Sequence, residues 1–264
     1  MLCYKYMPWD YWFDSVLMGR LKLSVPSEFN DPFDCDGDVV GSYRQSVIDD
    51  WVDKNFEPSE ELPTREMFKS AFLLTYQEHM RSCLLERKYF DQLCRILCLV
   101  NAEQKIPSGD DLLLWSHYTG NAKGVRILID IPRKGMPYEL EDVEYEEHKP
   151  VSELSMASEV FCSDPDFYHD RFYTKGTPWA YEHEVRLVMH KPFLDNDYHI
   201  KVGGIDYFKF PVSWIKEVAF GVCVDQERVQ CYVAMLRKHG LTRIRYFKTA
   251  KQVKKYGLQY VLIP

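Results

Sequence analysis

The stretch KGTPWAYEHEVRLVMH, residues 175–190, decides how the fold is read. Its first half is broken by Gly176 and Pro178, and its second half, EVRLVMH, is an apolar, β-branched run of strand length. On a strand, successive side chains point to opposite faces, so Glu182, Glu184 and Arg186 are expected on one face and His183, Val185 and Leu187 on the other. Runs of the same kind lie on both sides of it: RILCLV (95–100), GVRILID (124–130), IKEVAFG (215–221) and TRIRYFK (242–248). A sheet of several strands follows.

The chain opens with strand composition in LCYKYM (2–7). Asp10 is placed to cap a short helix through YWFDSVLM, Gly19 to end it, and RLKLSV (20–25) to return as a second strand. Residues 44–92 read as helical and charged, with apolar residues at 68, 72, 73 and 76 on one helical face. SDPDFYHDRFY (163–173) carries Ser163 at a helix start, and QERVQCYVAMLRKHG (226–240) is an amphipathic helix stopped by Gly240. The expected fold is α+β: a central mixed, largely antiparallel sheet with flanking helices. One domain spans 1–264, with 44–92 as a helical insert, and a chain of 264 residues suits one elaborated domain.

Composition narrows the function classes. A net charge of −7 argues against the broad basic face that sequence-independent nucleic-acid binding requires. No basic segment leads into an apolar one at the start, and no apolar run reaches ~18 residues, so a cytoplasmic protein with no membrane partner is expected. The eight cysteines form no C-x-x-C pair; Cys94 and Cys98, four apart, are expected to share one face of a helix as packing residues. Aromatic residues make up 15% of the chain, enough to serve both a core and a stacking surface for flat ligands.

The glycine-rich nucleotide loops and the G-x-S-x-G elbow are absent, and His183-Glu184 is followed by Leu187 where a zinc protease needs its second histidine. Three clusters remain. In FNDPFDCDGD (29–38), Asn30 and Asp31 suit an Asx-type turn anchored in the core by Phe29 and Phe33, or the polar edge of a pocket beginning at Ser24. In LLLWSHYTGNAKGV (112–125), Trp115, His117 and Tyr118 suit either core packing or a stacking surface. In the third, Glu182, Glu184 and Arg186 are either a solvated strand face or a buried carboxylate pair beside a guanidinium, the preparation for acid–base or cation-stabilising chemistry.

Phe-Asn-Asp-Pro-Phe (29–33), Trp-Ser-His-Tyr (115–118) with Gly124 before a strand, DVEY (142–145) and Lys175…Trp179-x-Tyr181-Glu182-x-Glu184-x-Arg186 together resemble a widespread bacterial domain of unknown function, DUF2971, over about residues 3 to 248. That family name implies no activity. The opening YKY, the Gly19-terminated helix, LKLS and the late E-x-E-V-R strand are similar to ADP-ribosyltransferase folds, which bind NAD without the Rossmann fingerprint. The resemblance implies NAD as substrate, with Glu184 or Glu182 stabilising the ribose cation and Tyr118 stacking on nicotinamide. It further implies that His117, Lys5 and Tyr6 orient ribose and phosphate groups, with Ser24, Asn30, Asp31, Trp115 and Arg186 completing the NAD-binding set. Lys5 stands between tyrosines where that superfamily often has histidine or arginine. The acceptor is a macromolecule or water, and a bacterial toxin or phage-defence effector fits such chemistry. Two alternatives stand beside it: a non-catalytic nucleotide-binding or interaction module, and a metal-dependent nuclease using Asp166, Glu182 and Glu184.

Overall fold

The computed structural model describes residues 1–40, 45–74, 87–104, 106, 108–133, 135–153, 165–191, 194 and 196–264. Ser163 and, within the expected insert, residues 44 and 75–86 lie outside the described residues. In chain order the elements are β1 (Leu2–Met7), α1 (Trp12–Met18), β2 (Arg20–Lys22), β3 (Asp38–Val40), α2 (Gln45–Asn55), α3 (65–74), α4 (Arg87–Leu93), β4 (Cys94–Asn101), α5 (Ser108–Tyr118) and β5 (Val125–Asp130). They continue with β6 (Leu140–Asp142), β7 (Glu144–Glu146), β8 (Val151–Glu153), α6 (Pro165–Tyr173), β9 (Thr174–Gly176), β10 (Glu184–His190), β11 (His199–Val202), β12 (Ile205–Lys209), β13 (Ile215–Phe220), α7 (Gln226–Lys238), β14 (Arg245–Lys251) and β15 (Leu258–Leu262). They divide into two compact units: residues 1–24, 94–143 and 178–264 form the first, and residues 25–93 and 144–177 the second.

The first unit is built on an eight-stranded sheet in the order β15-β14-β13-β5-β1-β4-β10-β6. Its pairings are antiparallel except β13 with β14, so the α+β fold with a mixed, largely antiparallel sheet is what forms. The parallel pair needs a crossover, which α7 supplies. Asp225 caps that helix by accepting from the Arg228 amide at 3.0 Å, and Val229, Val233 and Leu236 give it a buried face. A second sheet, β11-β12-β2, is reached through Gly19, whose φ of 60° ends α1 and whose Cβ position would lie 2.2 Å from the Phe210 carbonyl oxygen. Asp10 does not cap α1; Tyr11 holds the cap position, with no side-chain bond.

Alternation sorts the central strands into two unlike faces. One is apolar and fully buried, with Cys3, Met7, Leu97, Leu99, Ile127, Ile129, Val185, Leu187 and Met189 in one core cluster. The register places Tyr4 beside Val100 and Leu128, Tyr6 beside Arg126, Glu184 beside Val100, and Arg186 beside Cys98, all on the other face. Cys94 and Cys98 share that face on a strand, not the expected helix, because a four-residue spacing also preserves the face at period two.

The second unit contains the parallel pairs β3–β8 and β7–β9. In it the Trp51 ring of α2 stacks on Phe72 of α3, with centroids 4.1 Å apart, and Phe90 of α4 meets Phe172 of α6 edge-on. The acidic loop 29–38 belongs to this unit. Asp31 is buried and its Oδ1 accepts from the Phe33 amide at 2.9 Å, which is the expected Asx turn. Phe33 does not anchor it in the core: its ring is 64% exposed, with the Lys149 ammonium 5.3 Å from the centroid.

Candidate functional site

The polar face of the first unit's sheet gathers its chemistry at the head of β10. Thr177–Glu182 forms a 3-10 helix, so Glu182 is not on the strand as expected; it precedes it. His183 joins the two with φ 44°, a left-handed conformation that a residue with a Cβ adopts only at a cost of ~1–2 kcal/mol. Its carbonyl accepts from the Asn101 amide at 2.8 Å, so the neighbouring strand fixes the kink. The two carboxylates are thereby given separate environments.

Glu184 and Arg186 are both buried, at 5% and 0% exposure. Arg186 holds the carboxylate with two parallel bonds, Nε to Oε1 at 2.9 Å and one terminal nitrogen to Oε2 at 3.0 Å. This fork geometry favours the ionised carboxylate. The Cys98 thiol lies directly across from Arg186; burial first, and then the Glu184 charge, push that thiol well above its ordinary pKa. Cys98 therefore stays a neutral thiol beside the carboxylate.

Lys5, which alternation puts on the face of Cys3 and Met7, lies where β1 and β4 have parted. The register between β1 and β4 covers Cys3 with Asn101 and Tyr4 with Val100, and further along β4 it is Ser24 that bridges Ile96 through two backbone bonds of 2.8 and 2.9 Å. Between these points the Lys5 ammonium donates to the Cys98 carbonyl at 2.8 Å. Burial pushes the Lys5 pKa down, partly opposed by Glu184.

Glu182, 3% exposed, accepts a hydrogen bond from the Tyr118 hydroxyl at the end of α5. Around Tyr118 lies an aromatic surface open to solvent. His117 is exposed, Trp179 and Tyr181 are half-buried, and the His117 ring sits 6.2 Å from each of them and 6.3 Å from Tyr118. Tyr181 Oη and His117 Nδ1 are 3.0 Å apart, which fixes the imidazole against the phenol.

Trp115 and Tyr6 are brought together elsewhere under α5, in a closed network. Tyr6 donates to Asp111 at 2.8 Å and meets the indole edge-on; Trp115 Nε1 donates to Tyr260 at 3.0 Å; the Arg126 guanidinium lies between the Tyr4 and Tyr260 rings, 4.0 and 4.2 Å from their centroids. Burial pushes the Tyr6 hydroxyl well above its usual pKa despite Arg126. Their polar atoms point into the protein, so these two residues brace β1 and α5. Of the expected site residues, Glu182, Glu184, Arg186, Lys5, His117 and Tyr118 lie in the first unit around β10, β4 and α5; Ser24 holds the edge of β4 through its backbone; Asn30 and Asp31 belong to the second unit.

Cys98, expected only to pack, and Trp179 and Tyr181 were not placed in the site from sequence. The two aromatics stand within the W-x-Y-E-x-E-x-R pattern, and their spacing ahead of Glu182 is the signal that marks them. Comparison of the chain with protein-family models, curated proteins and solved structures found no match. Among the described residues no group of three or more His, Cys, Asp or Glu is arranged to hold a metal ion, and no helix is long and apolar enough to cross a membrane.

Proposed function

We propose that this protein transfers ADP-ribose from NAD to a macromolecule or to water, with Glu184 as the group that stabilises the reacting ribose. The observation that carries this reading is the buried Glu184–Arg186 pair. The two residues are two apart on one strand, so their ion pair closes no loop and joins no distant elements. Burying such a pair is unfavourable against an apolar alternative of similar volume, and its burial at a strained turn calls for a reason other than stability.

Cleavage of the nicotinamide–ribose bond develops positive charge on the ribose. A carboxylate already ionised and already oriented stabilises that charge without reorganising as the bond breaks. Arg186 holds Glu184 in this state. Lys5, on the Cys98 carbonyl, supplies positive charge beside the same strand for a phosphate oxygen. Glu182, which accepts from the Tyr118 hydroxyl, would take the proton of the acceptor. The nuclease alternative is less well supported, since Glu182 and Glu184 are engaged by Tyr118 and Arg186.

The test is incubation of the purified protein with NAD, with and without cell lysate, following free nicotinamide and the mass of any modified macromolecule. Wild type is expected to release nicotinamide, and Glu184→Gln to lose on the order of 10²–10³ in rate while still binding NAD. Thermal melting of the variant separates loss of chemistry from loss of fold. Absence of release by wild type with lysate present, or an unchanged rate in both Glu184→Gln and Glu182→Gln, overturns the proposal.

A further inference from the structure

β15 ends the eight-stranded sheet, with β14 on one side and, among the described residues, no strand on the other. We propose that this edge is a two-fold interface, in which β15 of one molecule pairs antiparallel with β15 of a second copy and Val261 faces Val261 across the axis. The inference is independent of the NAD reading.

The hydrogen-bond parity of the β14–β15 hairpin decides which groups the edge offers. The Gln252 amide donates to the Gly257 carbonyl at 3.0 Å and the Ile263 amide to the Tyr246 carbonyl at 2.8 Å, so the odd-numbered residues of β15 aim their N–H and C=O groups at β14. Leu258, Tyr260 and Leu262 therefore aim theirs outward. Side chains close both ends of the row: Gln252 Nε2 donates to the Leu258 carbonyl at 3.0 Å, and Arg237 donates to the Pro264 carbonyl at 2.8 Å. Between them the main-chain groups of Tyr260 and Leu262 have no partner among the described residues. Such a row of alternating donors and acceptors is matched by an extended backbone.

The strand's own sequence selects a second copy as that backbone. Exposed edges are usually blunted by lysine, proline or a bulge, yet LQYVL (258–262) has no charge and no proline, and its register with β14 runs without a shift. Antiparallel pairing about a two-fold axis is self-complementary. Tyr260 exchanges two bonds with the copy's Leu262, Leu262 does the same with the copy's Tyr260, and Val261 meets itself in the closely spaced pair between them. Both exposed aliphatic side chains are then covered: Val261, 49% exposed, by its copy on one face, and Leu262, 57% exposed, by the copy's Tyr260 on the other. Lys254 and Lys255 lie in the turn, which antiparallel pairing sends to opposite ends of the interface. The contact is small, in the weak class below about 1,200 Å², so the dimer should dissociate on dilution.

Sedimentation velocity of the full chain over a range of concentrations tests this. Wild type is expected to pass from monomer to dimer as concentration rises. Val261→Lys and Val261→Glu each set like charges face to face and should weaken dimerisation about tenfold or more, whereas an equimolar mixture of the two variants should dimerise again. Leu262→Pro removes an outward amide without removing a bond to β14 and should also weaken the dimer. Melting curves confirm that the variants fold. A wild type that stays monomeric at every concentration, a dimer that withstands both charges, or a mixture that remains monomeric overturns the inference.

Discussion

Glu182-His183-Glu184 in the first unit and Asp34-Cys35-Asp36 in the second are built alike. Each is acid, left-handed residue, acid, with φ 44° at His183 and 55° at Cys35. They differ in where the opposing charges come from. Asp34 faces the Lys175 ammonium at 3.5 Å, Asp36 takes Lys149 at 2.7 Å, and the Cys35 carbonyl accepts from Arg171 at 2.9 Å. All three cations lie more than a hundred residues away in sequence, so each bond pins the acidic loop to the 144–177 segment of its unit. Glu184 instead takes its cation from two residues along the same strand. The loop's charges fasten two segments together, whereas the strand's pair only fixes the state of its own carboxylate. One arrangement stabilises a fold; the other prepares a charge.

The comparison predicts opposite responses to neutralisation. Asp34→Asn removes the carboxylate facing Lys175 where both side chains are 3% exposed, and is expected to destabilise by about 3–5 kcal/mol. Under the proposed function, nicotinamide release per folded molecule should not change. Replacing both partners, Asp34→Asn with Lys175→Met, should recover much of the loss. Chemical denaturation of the single and double variants measures this, and an Asp34→Asn protein as stable as wild type would break the contrast between the two motifs.

Much of the first unit was legible because its strands alternate or run apolar at the right length. β4, β5, β10 and β13 fall where their side-chain patterns put them, and α7 where its cap and apolar stripe put it. What was not legible depends on tertiary context. Nothing local marks His183 as left-handed; the Asn101 amide from β4 holds it there, and so Glu182 leaves the strand that alternation assigned to it. The Cys94–Cys98 spacing preserves a face on helix and strand alike, so spacing alone could not choose. Burial of Glu184 and exposure of Phe33 are outcomes of packing that residue type opposes. The chain crosses between the two units near residues 24, 93, 143 and 177 without any Gly/Ser-rich linker to announce it.

The left-handed residues sharpen the comparison at smaller energies. His183 is half-exposed, so His183→Gly relieves the backbone strain and loses little packing; stability is expected within ~1 kcal/mol of wild type. His183→Val, β-branched in the same conformation, should destabilise by ~1–2 kcal/mol or more. Cys35 is 1% exposed and its thiol lies 3.5 Å from Asp34 Oδ1, so Cys35→Gly trades strain relief for a lost buried side chain and should destabilise. Melting temperatures for the three variants decide between strain and packing at each site. A stabilised Cys35→Gly would show that the acidic loop stores strain as β10 does.

The smallest effect tests whether the acidic loop is only a fastening. Asp31 Oδ1 accepts from the Phe33 amide and sets the turn before Asp34, so Asp31→Ala is expected to destabilise by about 1 kcal/mol, the worth of one such bond. Asp31→Asn keeps a side-chain acceptor at the same position and should recover most of it. Neither change should alter the rate of nicotinamide release, because the bond serves the loop's own backbone. A rate that falls in Asp31→Asn while stability holds would mean that the carboxylate charge, not the turn, is what the loop provides.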